Sequence, residues 1–392
     1  MKQQLMNLFI RMQPFFFRLA RKHGPQPFVY LESFHGKQVN DNPKMIYDAL
    51  QARGIACVFG ANKHYVDRFE KAGVPYVVRF SKKWYQAVAC ACVWVINTRT
   101  KSWIEKSPWT YYLNTWHGTP LKKLGLDIQE VNIAGETTDK YHQSIKKECR
   151  LWDGLIAPSD YAARCFQSAF ALEEATCLKI GYPRNDLLVM HSEEKAAHIK
   201  KALGLDEKTT VFLYAPTWRD QQKEKGQYQF QLPFDLDRVL TLLPKESVLL
   251  VRMHYLVSES FDFTKYHSRI CDVSNYPEMN ELLLISDCLI TDYSSSFFDY
   301  ALLNRPILFY MYDKESYIQE IRGTYFSLEE LPSTPVLEEE AFYQALDKIS
   351  RNEAWNDEEK MAAFQNKFNQ YEIGEAALQL ADFIEEKIKE RI

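Results

Sequence analysis

From residue 27 onward, the apolar positions of this chain fall into short continuous runs separated by longer stretches with helical spacing. Short apolar runs bounded by Gly, Pro and polar clusters read as strands buried on both faces. The pattern predicts strands over 28–31, 55–59, 74–79, 92–97, 154–158 and 175–180, with helices over 43–53, 64–71, 84–91 and 160–170. A second strand series covers 210–214, 247–252, 269–272, 288–291 and 306–310, and amphipathic helices follow over 338–349, 357–368 and 374–388. Strands alternating with helices predict βαβ units and mainly parallel sheets. The turn-rich run Gly181-Tyr182-Pro183-Arg184-Asn185-Asp186 separates the two series. The expected division is therefore a segment over 1–26, an α/β domain over 27–186 and a second over 187–392 that includes the last helices. In open α/β sheets ligands bind beyond the carboxyl ends of the strands, so two such domains imply a cleft.

The first residues follow a different pattern. Lys2, Arg11, Arg18, Arg21 and Lys22 are interleaved with Leu8, Met12, Phe15, Phe16, Phe17 and Leu19, without an acidic residue. Arginines interrupt the run well short of the roughly 20 apolar residues that span a bilayer. Charge persisting through the centre, with no small-residue cleavage site, argues against a signal peptide. The expectation is a basic amphipathic helix lying on an anionic membrane surface, the competing reading being a helix docked on the protein's own core. Pro14 is expected to kink or divide it.

Composition narrows the class. The chain has 392 residues, more than one ordinary core accommodates. Its net charge of −4 argues against a general nucleic-acid binder. The eight cysteines are scattered through apolar segments, and Cys90 and Cys92 have no partner pair. They read as reduced, mostly buried thiols.

Several polar clusters stand just past apolar runs. His117 ends an aromatic run and is followed by Gly118 and Thr119-Pro120, which sets an imidazole on a turn. Such a histidine suits a general base, or it simply bonds a loop carbonyl. Arg252 and His254 leave the 247–252 strand on one side and suit a phosphate, although a structural ion pair would also use Arg252. Thr217 and Arg219 follow the 210–214 strand, and Arg184 and Asn185 line the cleft or hold the hinge. Asp292, Tyr293, Ser294, Ser295 and Ser296 form a turn opening a helix that runs to Leu303. Hydroxyls there cap the helix or donate to an anion. The remaining histidines, His35 among them, read as structural or surface residues.

These motifs, taken in order, resemble the CDP-glycerol glycerophosphotransferase family of wall teichoic acid synthesis. The matching pieces are 114–122, 181–186, 214–219, 252–254 and 291–295, and the resemblance covers roughly residues 28 to 385. One departure is Tyr255, where the family usually has proline after its second histidine. The resemblance implies a GT-B-like fold of two Rossmann-like domains facing across a cleft, with the short amphipathic membrane-binding segment in front. It implies glycerol phosphate transfer from CDP-glycerol to a lipid-linked disaccharide on undecaprenyl diphosphate, releasing CMP.

In the roles it implies, His117 takes the acceptor proton and His254 is the second catalytic residue. Arg252, Thr217, Arg219, Asp292, Tyr293 and Ser294–Ser296 bind the donor, and Gly118, Thr119, Arg184 and Asn185 lie on the acceptor side. No tightly bound cofactor or acidic metal motif is implied, and a divalent-metal requirement is left open. Family polymerases commonly carry a large extra N-terminal region, so the chain's length points to the priming step. The implied location is peripheral, on the cytoplasmic face of the membrane. The competing readings are a CDP-ribitol transferase, a poly(glycerol phosphate) polymerase, a GT-B nucleotide-sugar glycosyltransferase and a non-catalytic nucleotide-binding module.

Overall fold

The computed structural model describes residues 2–131, 137–217, 223–224, 227–228, 232–253, 263–320 and 323–392. It forms two compact units, the first comprising Met1–Gly118, Leu124–Asp186 and Tyr371–Ile392, the second Thr119–Lys123 and Leu187–Gln370.

The first unit holds seven strands: β1 Gln26–Glu32, β2 Ala56–Ala61, β3 Tyr76–Val78, β4 Ala91–Ile96, β5 Tyr111–Asn114, β6 Gly154–Ile156 and β7 Cys177–Leu178. They lie in the order β3-β2-β1-β4-β5-β6-β7, and every pairing is parallel, as the alternating pattern predicts. The order reverses between β1 and β4, which makes the carboxyl ends of those strands a topological switch point.

Every residue of β4 is buried, because helices cover both faces of the sheet. On one face Val29, Leu31, Val93, Val95 and Leu113 pack with Ile46 and Leu50 of the helix Asp41–Ala52, and with Leu380 and Ile384. On the other face the rings of Trp94 and Tyr112 lie 5.3 Å apart, and Trp84 Nε1 donates to the Tyr30 hydroxyl at 2.8 Å.

The last helix, Ala376–Lys389, departs from the expected division, since it packs on the first sheet rather than the second. The 181–186 run explains why. Asp186 accepts the amides of Ala376 and Ala377 at 2.9 and 2.8 Å, a carboxylate seated on a helix N-terminus. Glu372 accepts from the Tyr182 amide and from Asn185 Nδ2. A Cβ on Gly181 would stand 2.8 Å from the Tyr371 carbonyl oxygen, so this close approach of backbone favours glycine.

The helix α1, Lys2–Ala20, runs through Pro14 without being divided. Its inner side is docked on the helix Lys82–Cys90: Phe17 is fully buried with its ring 5.2 Å from that of Tyr85, whose hydroxyl donates to Gln13 Oε1 at 2.7 Å. The docked reading therefore holds for this face. Leu8, Met12, Phe15 and Leu19 form a second apolar stripe at helical spacing, 43–63% exposed. Among the described residues no helix is long and apolar enough to cross a membrane.

The second unit contains β8 Thr210–Tyr214, a short antiparallel pair β9 Lys223–Glu224 and β10 Gln227–Tyr228, β11 Ser247–Val251, β12 Ile270–Asp272, β13 Cys288–Thr291 and β14 Ile307–Phe309. Its main sheet is parallel, in the order β12-β11-β8-β13-β14, with the reversal between β8 and β13. Phe212, Leu249, Ile290 and Leu308 pack there with Val239, Phe342 and Leu346. All eight cysteines are free, and all but Cys271 are buried.

Candidate active site

In the first unit the polar residues gather at the carboxyl ends of β1, β4 and β5. His117 follows β5 and is half-buried, with its ring stacked on Trp116 at 4.5 Å. Trp116 takes φ 50°, a left-handed conformation that costs a non-glycine residue about 1–2 kcal/mol. His117 Nδ1 lies 2.7 Å from the Asn97 carbonyl oxygen. A carbonyl only accepts, so Nδ1 carries the proton and Nε2 keeps its lone pair. Burial holds the His117 pKa below its ordinary value; the Asn97 bond and Asp41 oppose that shift, and Arg184 adds to it. The ring is therefore a neutral imidazole near pH 7 with Nε2 as the basic nitrogen.

Asn97 is itself held from two sides, accepting the Phe34 amide at 2.9 Å and donating Nδ2 to Asp41 Oδ2 at 2.9 Å. Asp41 opens the helix Asp41–Ala52 with φ 61° and pairs with Arg184 Nη1 at 3.0 Å. Both side chains are largely buried. The structure thus joins Arg184 to His117 through Asp41 and Asn97, two residues the sequence reading did not select. Their only signal is a density of Asn and Asp just after strands, which by itself reads as turn chemistry. Asn185 is buried and donates Nδ2 to Glu372 Oε1 at 2.8 Å, a bond within the first unit. Gly118 and Thr119 are buried, and one of the boundaries between the units falls at the bond joining them.

In the second unit the loops after β8 and β13 meet at the switch point. Asp292 Oδ1 accepts the amides of Thr217 at 2.7 Å and Tyr293 at 2.6 Å, and Thr291 Oγ1 donates to the Ala215 carbonyl at 2.7 Å. Asp292 is buried, so it shapes the two loops. The Tyr293 ring stacks on Tyr317 at 3.9 Å. Ser294, Ser295 and Ser296 are half-exposed, with the hydroxyls of Ser294 and Ser296 2.9 Å apart. The helix they open is one turn, Ser296–Tyr300, passing into a 3-10 turn, Ala301–Leu303, that ends on Asn304 in the left-handed region. Together the two carry the helical stretch to Leu303, as the apolar pattern predicts.

Arg252 leaves β11 at the same edge of the sheet and donates Nη1 to the Tyr276 carbonyl at 2.8 Å. Burial lowers its pKa from the usual arginine value, with Glu278 opposing. Arg219 and His254 lie outside the described residues. Among the described residues no group of three His, Cys, Asp or Glu side chains is placed to hold a metal ion.

Residues 15–386 match the family model described as CDP-Glycerol:Poly(glycerophosphate) glycerophosphotransferase. The chain belongs to that family. It is 42% identical to a teichoic acid glycerol-phosphate transferase of Staphylococcus aureus, over 94% of this chain and 95% of that protein. A teichoic acid glycerol-phosphate primase of Bacillus subtilis is 32% identical over 73% of this chain and 70% of that protein. The solved structure of the wall teichoic acid polymerase TagF is similar with a TM-score of 0.89 and 36% identity, covering 100% of this chain and 96% of that one. The glycerophosphotransferase family makes this chain a transferase of teichoic acid biosynthesis.

Proposed function

We propose that this glycerophosphotransferase moves glycerol phosphate from CDP-glycerol onto a lipid-linked teichoic acid acceptor that already carries glycerol phosphate. The observation that carries the chemistry is the pinned tautomer of His117, with Nδ1–H on the Asn97 carbonyl and Nε2 as the free base. Nε2 takes the proton of the acceptor hydroxyl, the hydroxyl oxygen attacks the distal phosphorus of CDP-glycerol, and CMP leaves. Ser294, Ser295, Ser296 and Arg252 bind the donor pyrophosphate, and Asp292, Thr217 and Tyr293 keep the loops around it in shape. Catalysis of this kind rests on positioning and charge stabilisation.

The acceptor step has two readings. Length suggests priming of the undecaprenyl-linked disaccharide, yet a teichoic acid poly(glycerol phosphate) polymerase matches 96% of this chain over 96% of its own length, and at 38% identity against 32% for the primase. That similarity favours extension over priming.

The exposed stripe of α1, flanked by Arg11, Arg18 and Lys22, supports a peripheral position on the cytoplasmic face of an anionic membrane. Offering CDP-glycerol, CDP-ribitol and a UDP-sugar, each with unprimed and primed acceptor, and measuring nucleotide release tests the whole assignment. Release from CDP-glycerol with primed acceptor is expected; release only from the UDP-sugar would sink it, and release only with unprimed acceptor would restore priming.

A further inference from the structure

The turn after β1 is built in an uncommon way. Phe34, His35 and Gly36 are successively left-handed, with φ of 46°, 60° and 75°. Two non-glycine residues in that region are costly, and they persist only where the surroundings hold them. Here the hold is extensive. The Phe34 amide donates to Asn97 Oδ1 at 2.9 Å, the Asn62 amide to the Gly36 carbonyl at 2.7 Å, and Arg79 Nη1 to the His35 carbonyl at 2.8 Å. A Cβ on Gly36 would stand 2.5 Å from the Gly60 carbonyl oxygen, so the turn closes tightly on β2.

The result is an exposed His35 at the β1–β4 switch point, its Nδ1 3.5 Å from the Thr98 hydroxyl and its neighbour Phe34 5.8 Å from the His117 ring. Asn97 serves both, binding the turn through its side chain and His117 through its carbonyl.

The charge around this turn is positive. Arg79, Lys37, Lys101 and Arg99 all act on the His35 ring, which partial desolvation and these cations hold at a pKa of about 4. Glu32 pairs with Arg79 at 3.3 Å and Glu148 with Arg99 at 2.9 Å. Lys37 and Lys101 are exposed and make no ion pair among the described residues, so the surplus is cationic. A neutral imidazole, a hydroxyl and two unneutralised ammonium groups form a set that suits a phosphate oxygen.

We propose that the turn Ser33–Lys37, with Thr98 and Lys101, is a subsite for the phosphodiester of the acceptor, one glycerol unit from the hydroxyl that His117 deprotonates. The proposal rests on the functional reading above. Its distance logic selects among acceptors. A primed acceptor carries a phosphodiester one three-carbon unit from the attacking oxygen, beside the base. An unprimed disaccharide carries its nearest anion, the lipid diphosphate, beyond two sugar rings.

The test uses the full chain and a Lys37→Ala/Lys101→Ala double variant, both surface changes. The expected result is an increase of about five- to tenfold in KM for a glycerol-phosphate-primed acceptor analogue. The KM for CDP-glycerol and the inhibition constant of an unprimed analogue stay within about twofold. An equal change for both acceptors, a change for the unprimed one alone (which assigns the site to the lipid diphosphate), or no change overturns the subsite. Binding is read separately by following the His35 ring by NMR with glycerophosphoglycerol. An anion seated there raises the His35 pKa, and the double variant weakens the response. An unresponsive His35 overturns the proposal. If the wild-type chain releases no CMP from CDP-glycerol, the functional reading fails, while the NMR titration still decides whether the turn binds a phosphodiester.

Discussion

Asp41 and Arg184 form an ion pair at 3.0 Å, and its two members act on His117 with opposite sign. The carboxylate favours the imidazolium and the guanidinium disfavours it, so the pair leaves the imidazole more neutral than Asp41 alone would.

This fixes the direction of two pH shifts. A general base works deprotonated, so activity falls as pH drops through the lowered His117 pKa. Asp41→Asn removes the anion and lowers that pKa further, moving the acid limb of kcat/KM to lower pH. Arg184→Gln removes the cation and moves the limb to higher pH. Rate profiles of the two variants check this, and displacement in the same direction would contradict the pairing.

His117→Ala should cost kcat about 10²–10⁴-fold, the usual worth of a positioned base. Donor affinity should change little, since no donor contact is assigned to His117. Calorimetry with CDP-glycerol beside a CMP-release assay separates the two, and lost donor binding would remove His117 from the role of base.

Asp292→Ala strands the amides of Thr217 and Tyr293, both now bonded to Oδ1. The loss expected is about 1–3 kcal/mol of stability together with weaker CDP-glycerol binding. Asp292→Asn keeps one acceptor oxygen and should lose less. Thermal unfolding of both variants provides the comparison, and equal losses would show that charge, not hydrogen bonding, holds the loops.

The two faces of α1 should respond differently. Phe17→Ala empties a buried site against Tyr85 and should cost about 3–5 kcal/mol if the helix stays docked. Phe15→Asp with Leu19→Asp alters only the exposed stripe. It should leave the melting temperature nearly unchanged and abolish sedimentation with anionic vesicles. Retained vesicle binding would take the stripe out of membrane contact.

Apolar runs alternating with helical spacing were enough to mark the parallel strands, because strands buried on both faces must be apolar throughout. The 117, 184, 217, 252 and 292–296 clusters were legible for a related reason. Polar residues directly after such runs stand at the carboxyl edge of a sheet, where α/β proteins bind ligands. Local pattern therefore determined the two α/β sheets and which strand ends gather polar residues.

Only the tertiary structure decided the partners. Asp41 and Asn97 act on His117 across strands far apart in the chain, and the left-handed turn at Phe34 and His35 is held by the Asn97 side chain and Arg79. The last helix returns to the first sheet because Asp186 and Glu372 seat it there. Periodicity reports which face of an element is apolar. It does not report which distant surface covers that face, since that depends on contacts made after the chain has folded back on itself.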